Sequence, residues 1–546
     1  MKALKARVTA YHNEVTGSRF LLVLERPDGI TYRILIDYGS FQEHKYQYLN
    51  YVNDLDARNI DAIIVTHNHI DHTGLLPKAV RQGYQKSIYM TEITKQLIGD
   101  FLYDCAEQQI ENARDMQDRY PSEKRKFKVL YNENDVKKTL KLCVGIAYRK
   151  TIEILPGVKL TFWDNAHIFG AGMVLLQCSY KGIKPFNFLF TGDFKFENPF
   201  DKVRPFPKWF RNMELIVFTE STYGTTKRAD IKKCFRSNIL EAFERKQDIL
   251  IGAFAQDRMQ EILYDFKILQ DDGLIPPEYQ ICVDGTLGIN TNFKYKSILK
   301  WYNPSKMNYM PEGIQYMDSE SRKHIFENGR RKIVVATSGM LNRGPAKEYV
   351  PKFLERDNTL IHLVGYAAEG TLARKLLDAK RDETIKIGAR TYQKKSVIKT
   401  TREKTSHATK EELIELINMF TNVNFLGINH GDEDVKELFY EEVLMECPNV
   451  KQVGILSRSQ MFTFYQLGSN EKSKIAVKPG QAGLVNDSKL VFGKEATAEE
   501  IFRKRQIIKA QLEKQKQEGC SKKIKRKKER RKAKSTGGKK GKKESK

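Results

Sequence analysis

His67-Asn68-His69-Ile70-Asp71-His72 places three of the chain's ten histidines within six residues, with an aspartate between the second and third. Imidazole nitrogen and carboxylate oxygen are the donors that a borderline cation such as Zn²⁺ takes. The flanking residues locate the cluster. Asp61-Ala62-Ile63-Ile64-Val65-Thr66 is a short β-branched run that reads as a buried strand, and residues 73–80 read as a turn into a helix. The hexapeptide therefore lies on the loop at a strand's C-terminal end, where open sheets hold their ligands.

Further donors recur at the ends of later and earlier strands. His167 follows Trp163-Asp164-Asn165-Ala166, Asp193 closes Phe188-Leu189-Phe190-Thr191-Gly192, and Asp37 closes Ile34-Leu35-Ile36. Taken singly, a strand-ending aspartate is most often a turn residue, and a lone histidine is most often part of a satisfied core. Taken with the hexapeptide, they make a set.

The organisation is that of an α/β protein with more than one domain, as a length of 546 residues requires. Residues 1–213 alternate short strands with helical stretches. They begin with a hairpin across Pro27-Asp28-Gly29 and include a long helical pattern near residues 91–116. Residues 214–385 read as a second unit in which strand, small-residue loop and helix repeat, the pattern of a parallel sheet. Residues 386–466 return to strands with two helices. Residues 467–546 are polar, with a capping box at Thr497-Ala498-Glu499-Glu500 that starts a helix, and end in a low-complexity basic run expected to be largely disordered.

Composition bounds the partners. Hydrophobic residues make up 40% of the chain, with 29 Phe and 25 Tyr, which is ample for packed cores. Seven widely spaced cysteines with no Cys-x-x-Cys argue for reduced thiols rather than a disulfide framework or a thiolate metal site. No apolar run is long enough to span a bilayer, and the first residues lack an apolar signal core, so a cytoplasmic protein with no membrane partner is expected. The net charge is +26, and residues 503–546 hold 21 Lys and Arg against 4 Glu, a net of +17. A polyanion, most simply nucleic acid, is the expected partner of such a tail. Lys525, Arg526, Lys527, Lys528, Arg530, Arg531 and Lys532 lie in its densest stretch.

The order Asp37, His67-x-His69-x-Asp71-His72, His167, Asp193 resembles the four motifs of the metallo-β-lactamase fold, an αββα sandwich with a binuclear metal site on one edge. The resemblance extends to the β-CASP nucleases, a branch with an inserted α/β domain. Phe218-Thr219-Glu220-Ser221-Thr222-Tyr223-Gly224 is similar to its first motif, Thr405-Ser406-His407-Ala408 to its second and Asn429-His430-Gly431 to its third. Residues 248–263, Ser338-Gly339-Met340-Leu341 and residues 364–372 are similar to the body of the insert, with Ser338 and Gly339 candidate RNA contacts. The nearest resemblance is to prokaryotic relatives of the cleavage and polyadenylation endonuclease. It implies two zinc ions, one held by His67, His69 and His167, the other by Asp71, His72 and His430, with Asp193 between them and Asp37 orienting a ligand. It further implies a ribonuclease in which two metals clamp a phosphodiester and share a hydroxide nucleophile, with His407 as general acid and Glu220 holding its ring. A DNA-end nuclease of the same branch and a small-molecule ester or lactone hydrolase are the competing classes. The insert and basic tail argue against the small-molecule class, and His430 favours RNA over DNA. A homodimer, and a ribosome or RNA-processing assembly reached through the tail, are further candidate partners.

Overall fold

The computed structural model of the chain describes residues 3–12, 14–43, 45–119, 129–365, 367–458, 460–466 and 476–481. Two large sheets face each other. The first has eight strands in the order Ala476–Gln481, Gln460–Gln466, Leu4–Ala10, Phe20–Glu25, Thr31–Ile36, Ala62–Ile64, Ile88–Thr91 and Cys143–Ile146. It is antiparallel through Thr31–Ile36 and parallel beyond. The second has seven strands in the order Val453–Ile455, Val423–Ile428, Leu215–Thr219, Ile183–Phe190, Gly172–Tyr180, Val158–Asp164 and Thr151–Leu155. Alternating inward residues of both, such as Val8, Leu22 and Ile64 against Leu160, Phe188 and Phe218, form one core. The outer face of the eight-stranded sheet is covered by helices Leu76–Arg81, Glu92–Arg119 and Glu133–Leu142. The outer face of the seven-stranded sheet is covered by Lys410–Asn418 and Glu433–Glu446. This is the αββα layering expected from the sequence.

A third sheet has six strands, all parallel, in the order Gln315–Met317, Tyr279–Asp284, Arg331–Ala336, Asp248–Gly252, Thr359–Val364 and Val397–Thr401. Each central strand is buried on both faces, which is why Leu-Ile-Val runs without alternation mark it. One face of this sheet shares a core with Ile93 and Leu97 of the first unit's long helix and with Phe169 and Phe200. The insert is thus seated on the sandwich through packed apolar surface.

The strand pairings revise the segment boundaries expected from the sequence. Leu215–Thr219 lies beyond residue 213, yet it pairs with Ile183–Phe190 and Val423–Ile428 inside the sandwich. Val397–Thr401 lies beyond residue 385, yet it is the edge strand of the insert. A short apolar run reads the same in either parallel sheet, and nothing local says which sheet will take it. Residues 476–481, expected to be part of a polar tail, form the edge strand of the eight-stranded sheet; Pro479 is compatible with an edge position. The capping box at residues 497–500 and the basic run lie outside the described residues. Among the described residues, no helix is long and apolar enough to cross a membrane.

Candidate metal centre

The hexapeptide opens into a one-turn helix, Ile70–Thr73, with His69 at its N-cap. The segments before strand Phe20–Glu25 and after strand Thr31–Ile36 hold this turn by their backbones. Tyr38 N–H donates to the carbonyl of His72, and Ser18 N–H to that of Asp71, both at 2.8 Å. A Cβ on Gly39 would lie 1.5 Å from the Asp71 carbonyl oxygen, so only glycine permits this approach.

Asp37 ends its strand in the left-handed region, φ 58°. Its Oδ1 accepts from Thr66 N–H, and its Oδ2 accepts from Thr66 Oγ1 and from His72 Nδ1, at 2.7–2.8 Å. The His72 ring is thereby fixed with Nε2 turned away from Asp37, 3.4 Å from Asp193 Oδ2. His167 is oriented in the same manner by main chain, its Nδ1 donating to the Ser406 carbonyl at 2.8 Å. Asn165 joins the His167 loop to the Asp193 loop. It accepts from His167 N–H and donates to the carbonyls of Thr191 and Asp193.

The donors converge on Asp193, which is buried. Its Oδ2 lies 3.7, 3.4 and 3.6 Å from Nε2 of His67, His72 and His167, and its Oδ1 lies 3.2 Å from Nδ1 of His430. His69 Nδ1 lies 3.1 Å from Nε2 of both His67 and His167. Two donor sets result, His67-His69-His167-Asp193 and Asp71-His72-Asp193-His430, each with its ligand atoms within 4.8 Å of one another. They share Asp193. Among the described residues, His72 Nε2, His430 Nε2 and Asp193 Oδ1 are buried without a hydrogen-bond partner. An unmet buried polar atom costs about 1–3 kcal/mol, and three in one cluster suit coordination to a cation. A set of imidazoles and carboxylates without thiolate fits zinc or a neighbouring first-row metal. On both counts the residues present fit the binding of metal ions.

A third set adds the proton-bearing pair. Glu220, immediately after strand Leu215–Thr219, is buried; its Oε1 accepts from Phe194 N–H and its Oε2 accepts from His407 Nδ1 at 2.8 Å. His407 is 19% exposed against 1–2% for His67, His72 and His430. Its ring stacks on that of His430, 27° from parallel. Burial opposes the charged form of His407, but the Glu220 carboxylate, with Asp193 and Asp71 beyond it, raises the ring to about 9; cations in the adjoining sets would act in the opposite sense. Burial would likewise raise the Asp193 carboxyl, and the surrounding imidazoles, His430 and His72 foremost, bring it well below the usual carboxylate range.

Six of the ten histidines meet here. All ten residues expected at the centre, Asp37, His67, His69, Asp71, His72, His167, Asp193, Glu220, His407 and His430, are brought together. Ser338 and Gly339 are not among the donors; they lie on a loop of the insert. Lys525, Arg526, Lys527, Lys528, Arg530, Arg531 and Lys532 lie outside the described residues. Thr66, Asn165 and the Ser406 carbonyl were not foreseen. Thr66 and Asn165 carry only the weak signal of a polar residue beside a candidate ligand, and a carbonyl carries none.

Residues 22–137 match the Metallo-beta-lactamase superfamily and residues 259–376 match the Beta-Casp domain. Among curated proteins, the chain is similar to the transcription termination factor FttA of Methanosarcina mazei, with 28% identity over 472 residues, 81% of this chain and 70% of that protein. It is similar to the transcription termination factor FttA of Methanothermobacter thermautotrophicus at 28% identity, over 78% of this chain and 67% of that protein. With that of Thermococcus kodakarensis it shares 30% identity over 64% of this chain and 52% of that protein. The chain thus spans between half and seven tenths of the length of these relatives. With an αββα sandwich, an inserted parallel-sheet domain and histidine–carboxylate sets on the loops between them, the chain carries the metallo-β-lactamase fold with a β-CASP domain.

Proposed function

We propose that the protein is a zinc-dependent ribonuclease that hydrolyses RNA phosphodiester bonds. The observation that carries this reading is the adjacency of two donor sets sharing Asp193 to the hydrogen-bonded pair of buried Glu220 and partly exposed His407. A bare ester hydrolase on this fold needs neither the insert nor the basic tail, and the curated relatives are named for an act on transcription. His430, in the second donor set, favours RNA over DNA ends within the branch.

His67, His69 and His167 would hold one ion and Asp71, His72 and His430 the other, with Asp193 between them. Bound there, such ions supply charge neutralisation for the phosphodiester and a nucleophile at neutral pH. The chain's own residues do the rest. Asp37 and the Ser406 carbonyl hold the Nδ1 protons of His72 and His167, so that each ring keeps one orientation and presents Nε2. Glu220 does the same for His407, which leaves that ring's Nε2 to give a proton to the departing oxygen.

The test is incubation of the purified full chain, loaded with zinc, with RNA labelled at its 5′ or its 3′ end, with and without a chelator. We expect cleavage that the chelator stops and zinc restores, and the two labels distinguish internal from terminal cutting. Absence of cleavage, or cleavage indifferent to chelator, overturns the reading.

The tail's part in this reading is electrostatic capture. Truncation after residue 502 removes a net charge of +17. It is expected to weaken RNA binding and to flatten the slope of log affinity against log salt, since each phosphate that the protein ceases to neutralise reduces that slope by about 0.7 on single strands. The rate constant at saturating RNA should stay within about threefold, because the tail supplies capture and not chemistry. An unchanged salt slope sinks this assignment.

A further inference from the structure

The order of the strands in the insert's sheet reverses at one point. Strands Asp248–Gly252 and Arg331–Ala336 are parallel neighbours. From the first, the chain passes through helix Arg258–Asp271 to a strand beyond its neighbour. From the second, it passes through helix Gly344–Leu354 and crosses back to Thr359–Val364 on the far side. The helices pack on opposite faces, Met259, Ile262 and Phe266 in one core, Tyr349 and Phe353 in the other. Loops that leave adjacent parallel strands toward opposite faces part from each other, and the gap at the strands' carboxyl ends is where open α/β sheets take ligands.

Two features of this gap point to its occupant. The first is Phe254, on the loop after Asp248–Gly252, which is 49% exposed. Its ring lies against Gly339 on the facing loop, where a Cβ would come within 3.2 Å of it. The ring thus lies close to bare backbone while about half of the residue stays exposed. The second is the loop's link to the metal centre. Two residues on, Gln256 accepts at 2.7 Å from Asn68, the residue between His67 and His69. Both side chains are buried, and each keeps one polar atom without a partner among the described residues, Asn68 Oδ1 and Gln256 Nε2.

We propose that these two loops form a nucleobase subsite, in which the ring of Phe254, backed by Gly339, stacks a base of the RNA strand next to the phosphate held at the metal centre. The proposal rests on the ribonuclease reading and deepens it. Stacking on an aromatic face is indifferent to base identity, because every base presents a π-face. The subsite therefore sets the register of a single strand and not its sequence. It also requires an unpaired nucleotide beside the cut, since a base within a duplex is already stacked.

The probe is a fluorescein-labelled oligouridylate, with binding read by anisotropy on full-length protein carrying Asp193→Ala so that the RNA stays intact. Adding Phe254→Ala is expected to weaken binding about five- to a hundredfold, and Phe254→Trp to leave it within about threefold. Phe254→Ala should leave the thermal unfolding transition in place, because the ring is not part of the core. Oligomers with a single abasic nucleotide, moved along the strand, supply the second measurement. One position should be penalised when Phe254 is present and not when it is alanine. Binding unchanged by Phe254→Ala, or an abasic penalty of the same size in both proteins at every position, overturns the subsite and leaves the ribonuclease reading standing. If the protein with Phe254 intact neither binds nor cuts RNA, both fall together.

Discussion

Asp193→Ala is expected to lower RNA cleavage on the order of 10³-fold or more while the protein stays folded. Asp193 is the one residue common to the three donor sets. Removing it leaves His67, His69 and His167 on one side and Asp71, His72 and His430 on the other, each set short of a charged donor and no longer bridged. Bound zinc, measured on the purified protein by elemental analysis, should fall below that of wild type. The fold should survive because Asp193 forms its close contacts with the ligand imidazoles, whereas the Asp193 backbone carbonyl, which Asn165 holds, is untouched by the substitution. Thermal unfolding of the zinc-free proteins checks this, since it removes the contribution of bound metal from the comparison. Activity near that of wild type would remove Asp193 from the centre of the site. A chain that fails to fold without metal would make Asp193 a structural residue first.

Much of this centre was legible because its ligands are local signals. His67 to His72 sit in one turn after an apolar strand, and Asp37, His167 and Asp193 each end a strand, so spacing and position alone nominate them. Glu220, His407 and His430 were reached only through resemblance, because what makes them functional is a contact across the chain. The His407–Glu220 bond joins residues 187 apart in sequence. The orienting groups were less legible still. His167 is held by the carbonyl of Ser406, 239 residues away, and every residue carries a carbonyl. The same limit explains the revised boundaries. Leu215–Thr219 and Val397–Thr401 were both visible as strands, but the sheet that each joins is decided by the long-range pairing of one buried apolar run with another. The nucleobase subsite shows a third case. Phe254 is one of 29 phenylalanines, and only the fold leaves its ring exposed over a glycine at a topological crossover.

His407→Ala is expected to reduce kcat on RNA by roughly 10²–10⁴-fold, the usual worth of a positioned general acid, with KM and zinc content close to wild type. His407 belongs to neither ligand set that holds the hexapeptide; its Nδ1 is committed to Glu220, and its side chain is the more exposed partner of that pair. A loss of rate alone would not separate proton donation from a role in holding the strand, because a misplaced substrate also reacts slowly. The leaving group separates them. Ribose oxygen departs as a strong base and needs a proton, whereas nitrophenolate departs as an anion at neutral pH. Hydrolysis of bis(p-nitrophenyl) phosphate by His407→Ala should therefore stay within about tenfold of wild type while RNA cleavage falls by the full factor. Glu220→Gln should show the same selectivity with a smaller loss, because the acid remains and only the carboxylate that holds its Nδ1 proton is replaced by a neutral amide. Equal losses on both substrates would mean that His407 acts on the bound phosphate or the metals and not on the leaving oxygen, and the proton would then have to come from elsewhere in the cleft.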